Sequence, residues 1–364
     1  MPSSISSSDS HLPAVPWLQI LSAAALLSFA VATAFEVRLA DLGYRPTARD
    51  SAARWLAERA RASRLGEQAL ILIGASRIQL GLDMDALREG TGLEPVMLAL
   101  DGSGSDPVLE GLSRDPTIRG TILVDYYDHA VGVFGDAAEK RQRLYEASAI
   151  HAGFWQKPAE YSEELLTRML RERLRIYADG ATPIQSVQRR LLSSATSTQY
   201  LVTRPDRSRV ADYSLAQIPS AYYRRAARML GGEAEQLNVR APGIEETLSR
   251  QVASIAPVDN TGFLASARAL ADMSARIRSR GGNVVFIAMP SSGMVREIET
   301  RRRPYALFWE PFMRLPGIAG VHSAYEPELK GFTCPDGSHL DMRDRVAYTH
   351  ALIGVLKRKG LWKD

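Results

Sequence analysis

Short apolar segments that alternate with helical stretches constrain the fold of this chain more than any other feature. Residues 69–73 (ALILI), 95–100 (PVMLAL) and 121–127 (TILVDYY) are rich in apolar residues. Such segments are typical of strands in a parallel sheet that helices cover on both faces. The alternation resumes after residue 260, with segments at 262–279, 283–290, 317–322 and 342–357. We therefore predict an α/β fold, a three-layer α/β/α sandwich around a mostly parallel sheet.

The segment from about residue 131 to 258 interrupts this alternation. It is rich in Arg, Glu, Leu and Ala and contains no strand signal of comparable quality. Helical stretches such as 162–176 (SEELLTRMLRERLRI) favour a mostly helical insertion between strands of the core. A separate domain is the alternative, although no Pro- or Gly-rich linker marks the edges of the segment. We assign residues 67–364 to one α/β domain that carries this helical insertion.

The N-terminal region combines a polar segment with a long apolar one. Residues 1–13 are largely polar and Ser-rich, which predicts disorder. Residues 14–35 (AVPWLQILSAAALLSFAVATAF) carry no charge. A helix of this length, rising about 1.5 Å per residue, would cover the roughly 30 Å hydrocarbon core of a membrane. We predict a transmembrane anchor over residues 14–35, followed by a linker and a helix over 36–66.

The sequence allows this apolar segment to be an uncleaved anchor or a cleaved signal peptide, and it allows either orientation in the membrane. The small residues Ala30, Ala32 and Ala34 fit the cleavage site of a signal peptide. A signal peptide normally has Lys or Arg before its apolar segment, however, and this chain has none there. A literal positive-inside interpretation of the arginines after the span would place the body of the protein in the cytoplasm. Acidic residues are mixed among these arginines, so the orientation has to come from function.

Composition narrows the classes of function. With 45% hydrophobic and 24% charged residues in 364, the chain is typical of a globular protein. Its net charge is only +4 and no basic stripe is interleaved with aromatic residues, so we predict no nucleic-acid partner. Cys334 is the single cysteine, and no CxxC or paired Cys/His pattern is present. We therefore predict no disulfide, no metal and no cofactor.

Ser76 lies where the first apolar strand ends, in the stretch ILIGASRIQLGLD. The carboxyl end of a parallel strand is where such sheets place ligands and reactive groups. Backbone N–H groups at a helix start could hold an oxyanion next to this serine. The pattern is not the G-x-S-x-G elbow, because Ile78 stands where that motif has its second glycine. Taken alone, a serine in this position is more often a helix cap than a nucleophile.

Asp336 and His339 lie in the sequence DGSH, just before the last predicted helix. In a tight loop, this spacing lets the carboxylate accept a hydrogen bond from the imidazole Nδ1–H. The Nε2 atom is then free to take a proton from a serine hydroxyl. The alternative is that Asp336 caps a turn and His339 is a surface residue.

Together, Ser76 after the first core strand and Asp336-x-x-His339 near the C-terminal end resemble the SGNH (GDSL-type) hydrolase superfamily. The resemblance covers residues 67–130 and 262–360. It implies a flavodoxin-like α/β/α sandwich in which Ser76 is the nucleophile, His339 the general base and Asp336 the orienting acid. It also implies an oxyanion hole made by the N–H groups of Ser76 and Gly102, with Gly104 as the alternative to Gly102.

The chain departs from this family after the third strand. The family often has G-x-N-D there, with the Asn donating to the oxyanion, whereas this chain has VDYYDHA. Loss of one oxyanion donor costs on the order of 3 kcal/mol in the transition state. The departure therefore indicates a hole with fewer donors, one completed by other groups, or a divergent branch of the family.

Several other residues are candidates for substrate binding. The residues that border the predicted site are Arg77, Gly104, Asp128 and Ser291. Arg77 could pair with an anionic substrate group or with a surface acid, and Ser291 could simply belong to a turn. Tyr305 and Trp309 could stack on a sugar or lie in the core. The basic run 301–303 is a solvated face or a contact for an acidic ligand.

Membrane-anchored SGNH proteins that lack a clear G-x-N-D motif after the third strand resemble proteins of bacterial exopolysaccharide or cell-wall O-acylation. This resemblance implies an inner-membrane protein whose catalytic domain is periplasmic and works beside a multi-spanning acyltransferase. It implies a carbohydrate or acyl-donor substrate and an acyl-serine intermediate, with either water or a sugar hydroxyl as the acceptor. The alternative from a different class is a non-catalytic assembly or scaffold protein of an envelope polysaccharide complex.

Overall fold

The strands form one parallel sheet and one small hairpin in a computed structural model that describes residues 16–127, 165–166 and 168–362. The described strands are β1 (Ala69–Ile73), β2 (Glu94–Met97), β3 (Thr121–Asp125), β4 (Leu201–Thr203), β5 (Arg209–Ala211), β6 (Asn283–Ala288) and β7 (Gly320–His322). Five of them form a sheet in the order β2-β1-β3-β6-β7, and every neighbouring pair is parallel. Strands β4 and β5 pair antiparallel as a separate hairpin.

Helices connect these strands and cover the sheet. The described α-helices are α1 (Trp17–Asp41), α2 (Ala52–Leu65), α3 (Ser76–Gly81), α4 (Met84–Thr91), α5 (Asp106–Arg114), α6 (Pro183–Arg190), α7 (Ile218–Leu230), α8 (Ile244–Ala253), α9 (Thr261–Arg278), α10 (Gly293–Arg302), α11 (Trp309–Met313) and α12 (Arg345–Arg358). All five residues of β1 are buried, as expected for a central strand with helices on both sides.

Alternate side chains of β1 belong to two separate hydrophobic clusters, one on each face of the sheet. Ile71 and Ile73 pack in a cluster with residues of α2, α5, α9 and α11. Leu70 and Leu72 pack in a cluster with residues of α3, α4 and α12. The predicted α/β fold with a parallel sheet covered on both faces is therefore confirmed.

The structure differs from the predicted elements at two places near β1. The strand predicted over 95–100 ends at Met97, although the N–H groups of Leu98 and Leu100 still donate to the chain beside them, at Leu72 and Gly74. After Met97 the chain therefore leaves the strand ladder while it still bonds to the neighbouring segment. Ser76 is the first residue of helix α3 and not its cap, because the N-cap position is taken by Ala75.

Helix α1 is long and apolar enough to cross a membrane by its length and composition. It begins within the predicted span 14–35 and continues past it to Asp41. Only Phe35 and Leu39 are buried along it. At its C-terminal end, Glu36 accepts hydrogen bonds from the backbone N–H groups of Arg175 and Ile176. The segment predicted to be disordered, 1–13, lies outside the described residues.

The insertion contacts the core of the sheet domain closely. Helices α7 and α8 pack against α10 through a cluster of apolar side chains, among them Ala226, Leu248 and Ile298. The hairpin of β4 and β5 was not predicted, because strands of three residues are too short for a periodic pattern. In its turn, the fully buried Arg207 donates to the carbonyl oxygens of Met97 and Ala99 at the end of β2.

Candidate active site

Ser76 is the first residue of α3 and lies at the carboxyl end of the central strand β1. Between strand and helix, Gly74 has φ +142°, and a Cβ added there would collide with the Cβ of Asp125 at the end of β3. Only glycine fits this conformation and this close approach. The glycine thus lets the chain turn sharply, so that Ser76 is left half-buried at the edge of the sheet.

Ser76, His339 and Asp336 form a continuous hydrogen-bonded array. The Ser76 Oγ lies 2.8 Å from Nε2 of His339. On the other side of the ring, Nδ1 lies 2.8 Å from Oδ2 of Asp336. A carboxylate can only accept, so Nδ1 carries the proton and Nε2 is the acceptor for the serine hydroxyl. The structure thus brings together the three residues that the sequence selected from opposite ends of the α/β domain.

The loop that carries Asp336 and His339 is held by its own backbone. Asp336 Oδ1 accepts hydrogen bonds from the N–H groups of Ser338 and His339, at 3.0 and 2.9 Å. Gly337 has φ +85°, and a side chain there would collide with Val295 of α10. The loop therefore packs tightly against α10, and Asp336 orients both the loop and the imidazole. Asp336 and His339 are only 5% and 7% exposed, so water is largely excluded from their hydrogen bond.

Arg225 of α7 is a component of this site that the sequence analysis missed. Its Nη2 donates to Asp336 Oδ2 at 2.9 Å and lies 3.2 Å from Nδ1 of His339. The guanidinium also lines the pocket beside Ser76. The insertion, which had no assigned role, therefore supplies a side chain to the array. No sequence signal distinguishes Arg225 from the many other arginines of that segment.

The charges of the array favour a carboxylate beside a neutral imidazole. Burial opposes ionisation of Asp336, but the hydrogen bond and charge of His339, together with Arg225, outweigh it and hold the pKa of Asp336 well below its ordinary range. Burial also lowers the pKa of His339, and although Asp336 raises it, Arg225 and Arg77 contribute to the net lowering. A neutral His339 at neutral pH is a general base ready to accept a proton.

Asp125 is a second acidic group at the edge of the sheet. Burial raises its pKa to about 7, against the charge of Arg77 and the backbone N–H of Ala75. Its Oδ1 is buried without a hydrogen-bond partner among the described residues. It is the last residue of β3. Asp128 and His129, which follow it, lie outside the described residues.

The pocket beside Ser76 is walled by the loop after β2. Ser103, Gly104 and Ser105 line it, whereas Gly102 is exposed in a turn and does not. Of the two glycines considered for the oxyanion hole, Gly104 is therefore the one beside the serine. Ser76 itself lies in the first turn of α3, where a backbone N–H has no acceptor within the helix.

Arg77 and Ser291 contact the same acid rather than open solvent. Arg77 forms an ion pair with Glu299 and donates from Nε to Ser338 Oγ at 3.1 Å. Its guanidinium also lies over the Tyr127 ring, 4.3 Å from the centroid. Ser291 donates to the other oxygen of Glu299 at 2.6 Å. Both side chains thus form a buried wall next to the array, which explains why an arginine follows Ser76.

The fold and the site define a parallel α/β protein with a Ser-His-Asp array at the carboxyl edge of its sheet. Comparison with family models, curated proteins and solved structures finds no match to this chain. Among the described residues, no group of His, Cys, Asp and Glu is arranged to hold a metal ion. The chemistry of the site therefore has to be argued from its own geometry.

Proposed function

We propose that the protein is a serine acyl ester hydrolase or O-acyltransferase of SGNH type. The observation that carries this proposal is the array of Ser76, His339 and Asp336, with 2.8 Å at both of its hydrogen bonds. A base within hydrogen-bond reach of a serine, itself oriented by a buried carboxylate, is the arrangement that activates a serine nucleophile.

The topology of the sheet supports this assignment. The order β2-β1-β3-β6-β7, read over the five parallel strands, is the 2-1-3-4-5 order of flavodoxin-like doubly wound folds. Ser76 follows the first of these strands, and the loop with Asp336 and His339 precedes the last helix, α12. This is the order of functional residues that the SGNH resemblance implies.

The geometry accounts for acyl transfer in two steps. Ser76 Oγ attacks the carbonyl carbon of an ester while its proton passes to His339 Nε2. The tetrahedral intermediate collapses to acyl-Ser76 as Nε2 returns the proton to the departing oxygen. In the second step, His339 takes a proton from water or from a sugar hydroxyl, whose oxygen attacks the acyl carbon. The second tetrahedral intermediate collapses as Nε2 returns this proton to the departing Ser76 Oγ, which restores the free serine and the neutral imidazole. Asp336 holds the ring in the required tautomer and stabilises the transient imidazolium.

The oxyanion of the intermediate needs hydrogen-bond donors beside Ser76. We assign this role to the N–H of Ser76 and to the backbone around Gly104, which lines the pocket. The third strand ends in Asp125 and not in an asparagine, so a third donor of the usual kind is missing from the described residues. A hole of this kind is consistent with a divergent member of the family.

The N-terminal helix supports the membrane-anchored part of the proposal. Its large apolar side chains are exposed, for instance Leu18 at 80% and Phe29 at 73%, which would be unfavourable in water. We propose a single-pass anchor in a bacterial inner membrane, with the catalytic domain in the periplasm beside a multi-spanning acyltransferase. The acceptor would then be a carbohydrate of the cell envelope.

Labelling with a fluorophosphonate probe tests the enzymatic proposal. The wild-type protein should be labelled, and Ser76→Ala and His339→Gln should not. Ser279→Ala is the matched control, because Ser279 is an exposed serine at the end of α9 and should leave labelling unchanged. An unlabelled wild-type protein, or full labelling of Ser76→Ala, would overturn the proposal and favour a non-catalytic scaffold protein of an envelope complex.

A further inference from the structure

A second pocket lies on the other side of the wall formed by Arg77 and Tyr127. It opens between α10 and the carboxyl ends of β6 and β7. We call it the Arg296 pocket and define it by the side chains that the argument uses: Arg296, Glu299, Tyr305, Trp309, His322 and Tyr325. Arg77 and Tyr127 line both this pocket and the one beside Ser76, so the two are adjacent.

The wall of the Arg296 pocket carries an excess of positive charge. Its arginines are Arg77, Arg296, Arg302 and Arg303. Glu299 is the only acidic side chain in the wall as far as the chain is described, and Arg77 and Ser291 already bind both of its oxygens. An anion that entered the pocket would therefore meet several cations and no unpaired carboxylate.

Arg296 is the arginine available to such an anion. Its Nε is buried and has no hydrogen-bond partner among the described residues. By contrast, Arg302 donates to the backbone carbonyl oxygens of Met229 and Leu230 at the end of α7. A buried guanidinium N–H without an acceptor is costly, and a carboxylate is the acceptor that best fits the guanidinium fork.

Neutral donors and aromatic rings complete the wall. His322 Nδ1 accepts a hydrogen bond from the N–H of Ala324 at 3.2 Å, so its proton is on Nε2. Burial lowers the pKa of His322 to about 4, and the charges of Arg77 and Arg296 act in the same direction. The imidazole is thus neutral at pH 7 and offers an N–H donor without adding charge.

Three aromatic rings surround this imidazole. Tyr325 and Trp309 have ring centroids 4.7 and 5.2 Å from that of His322, and Tyr305 packs against Tyr325 at 4.2 Å. Trp309 is buried, whereas Tyr325 is 49% exposed. An aromatic ring exposed at a pocket mouth, beside polar donors, suits a ligand with both an apolar face and hydroxyl groups.

We infer that the Arg296 pocket binds an acidic saccharide, whose carboxylate meets Arg296 and whose ring contacts Tyr325. This inference rests on the proposed acyl transfer to a carbohydrate and names the acceptor class: a sugar polymer with carboxylate groups. A sugar unit held there would contact the wall of Arg77 and Tyr127, which also lines the pocket beside Ser76.

Calorimetric titration of the full-length protein in detergent with trigalacturonate tests the inference. The fully methyl-esterified trimer should bind at least about tenfold more weakly, because it lacks the charge that meets Arg296. Arg296→Gln should weaken trigalacturonate binding about tenfold, and Tyr325→Ala should weaken both trimers. Arg301→Gln is the matched control, since Arg301 is on the same helix but pairs with Glu297 and lies outside the pocket.

Equal affinity for the charged and esterified trimers, or unchanged binding by Arg296→Gln, would overturn the inference. Inorganic phosphate binding as tightly as trigalacturonate would identify a phosphate site instead and overturn it too. Thermal melting checks that each variant folds, and Tyr325→Ala provides an independent test if Arg296→Gln does not. Binding with no fluorophosphonate labelling would refute only the catalytic proposal, whereas labelling with no trimer binding would refute only this inference.

Discussion

Asp336→Asn is the substitution that most directly tests the role of Asp336 in the hydrogen-bonded array with His339 and Ser76. Asp336 accepts from two backbone N–H groups through Oδ1 and from His339 and Arg225 through Oδ2. An asparagine keeps the backbone bonds only if its oxygen takes the position of Oδ1. Its NH₂ group then faces His339 Nδ1, which has to become an acceptor, and the ring proton moves to Nε2. In that tautomer, His339 cannot accept the proton of Ser76.

The size of the effect follows from this change of tautomer. In a serine protease triad, the same change of Asp to Asn lowers kcat by about 10⁴. At about 1.36 kcal/mol per tenfold change in rate, this is about 5.4 kcal/mol of transition-state stabilisation. The NH₂ group also faces the Nη2 of Arg225, a donor that loses its acceptor, so its charge disfavours the imidazolium further. We expect a loss of at least 10³-fold.

Hydrolysis of p-nitrophenyl acetate measures this loss as kcat/KM. Asp115→Asn is the control, because Asp115 also accepts backbone and arginine hydrogen bonds but lies far from the array. Thermal melting of both variants separates lost activity from lost folding. Activity of Asp336→Asn within tenfold of wild type, in a folded protein, would refute the argument from the tautomer.

Three further predictions concern the surroundings of the array. As the pH falls, kcat/KM should decrease with the protonation of His339, and the lowered pKa of this residue should place the midpoint below about pH 6.5. Arg225→Gln should move this midpoint upward, because Arg225 contributes to the lowering. A wild-type midpoint above about pH 6.5 would contradict the prediction. Arg77→Ala leaves Glu299 without its cation and should lower the free energy of unfolding in urea by about 3 kcal/mol. An unchanged free energy of unfolding would argue against a structural role of the Arg77–Glu299 pair. Gly74→Ala forces a side chain into a strained φ and into a clash with Asp125 of β3, so the free energy of unfolding should fall by about 2–4 kcal/mol. A decrease of less than about 1 kcal/mol would contradict this prediction.

Local patterns in the sequence predicted most of the sheet and part of the site. The strands β1, β3 and β6 are continuous apolar runs, so their burial on both faces could be predicted from their composition. Ser76 could be selected because it follows the end of a strand, and Asp336 because it lies three residues before His339. Their distance from each other, by contrast, is set by the packing of α3 against the loop before α12.

Contacts between segments far apart in the chain could not be predicted. Arg225 reaches Asp336 from 111 residues away, and only the packing of α7 on α10 brings it there. Glu299 belongs to no sequence motif, yet it is the partner of Arg77 across 222 positions. Gly102 and Gly104 are indistinguishable by spacing, because the turn after β2 decides which of them faces the serine.

The measurement that tests the central claim most directly is the identification of the acylated residue. The wild-type protein is incubated with p-nitrophenyl acetate, quenched in acid and digested, and the peptides are analysed by mass spectrometry. The account predicts one acetyl group on the peptide that contains Ser76, which accumulates rapidly and is absent in Ser76→Ala. Hydrolysis without any acetylated serine, or an acetyl group on a different serine, would contradict it.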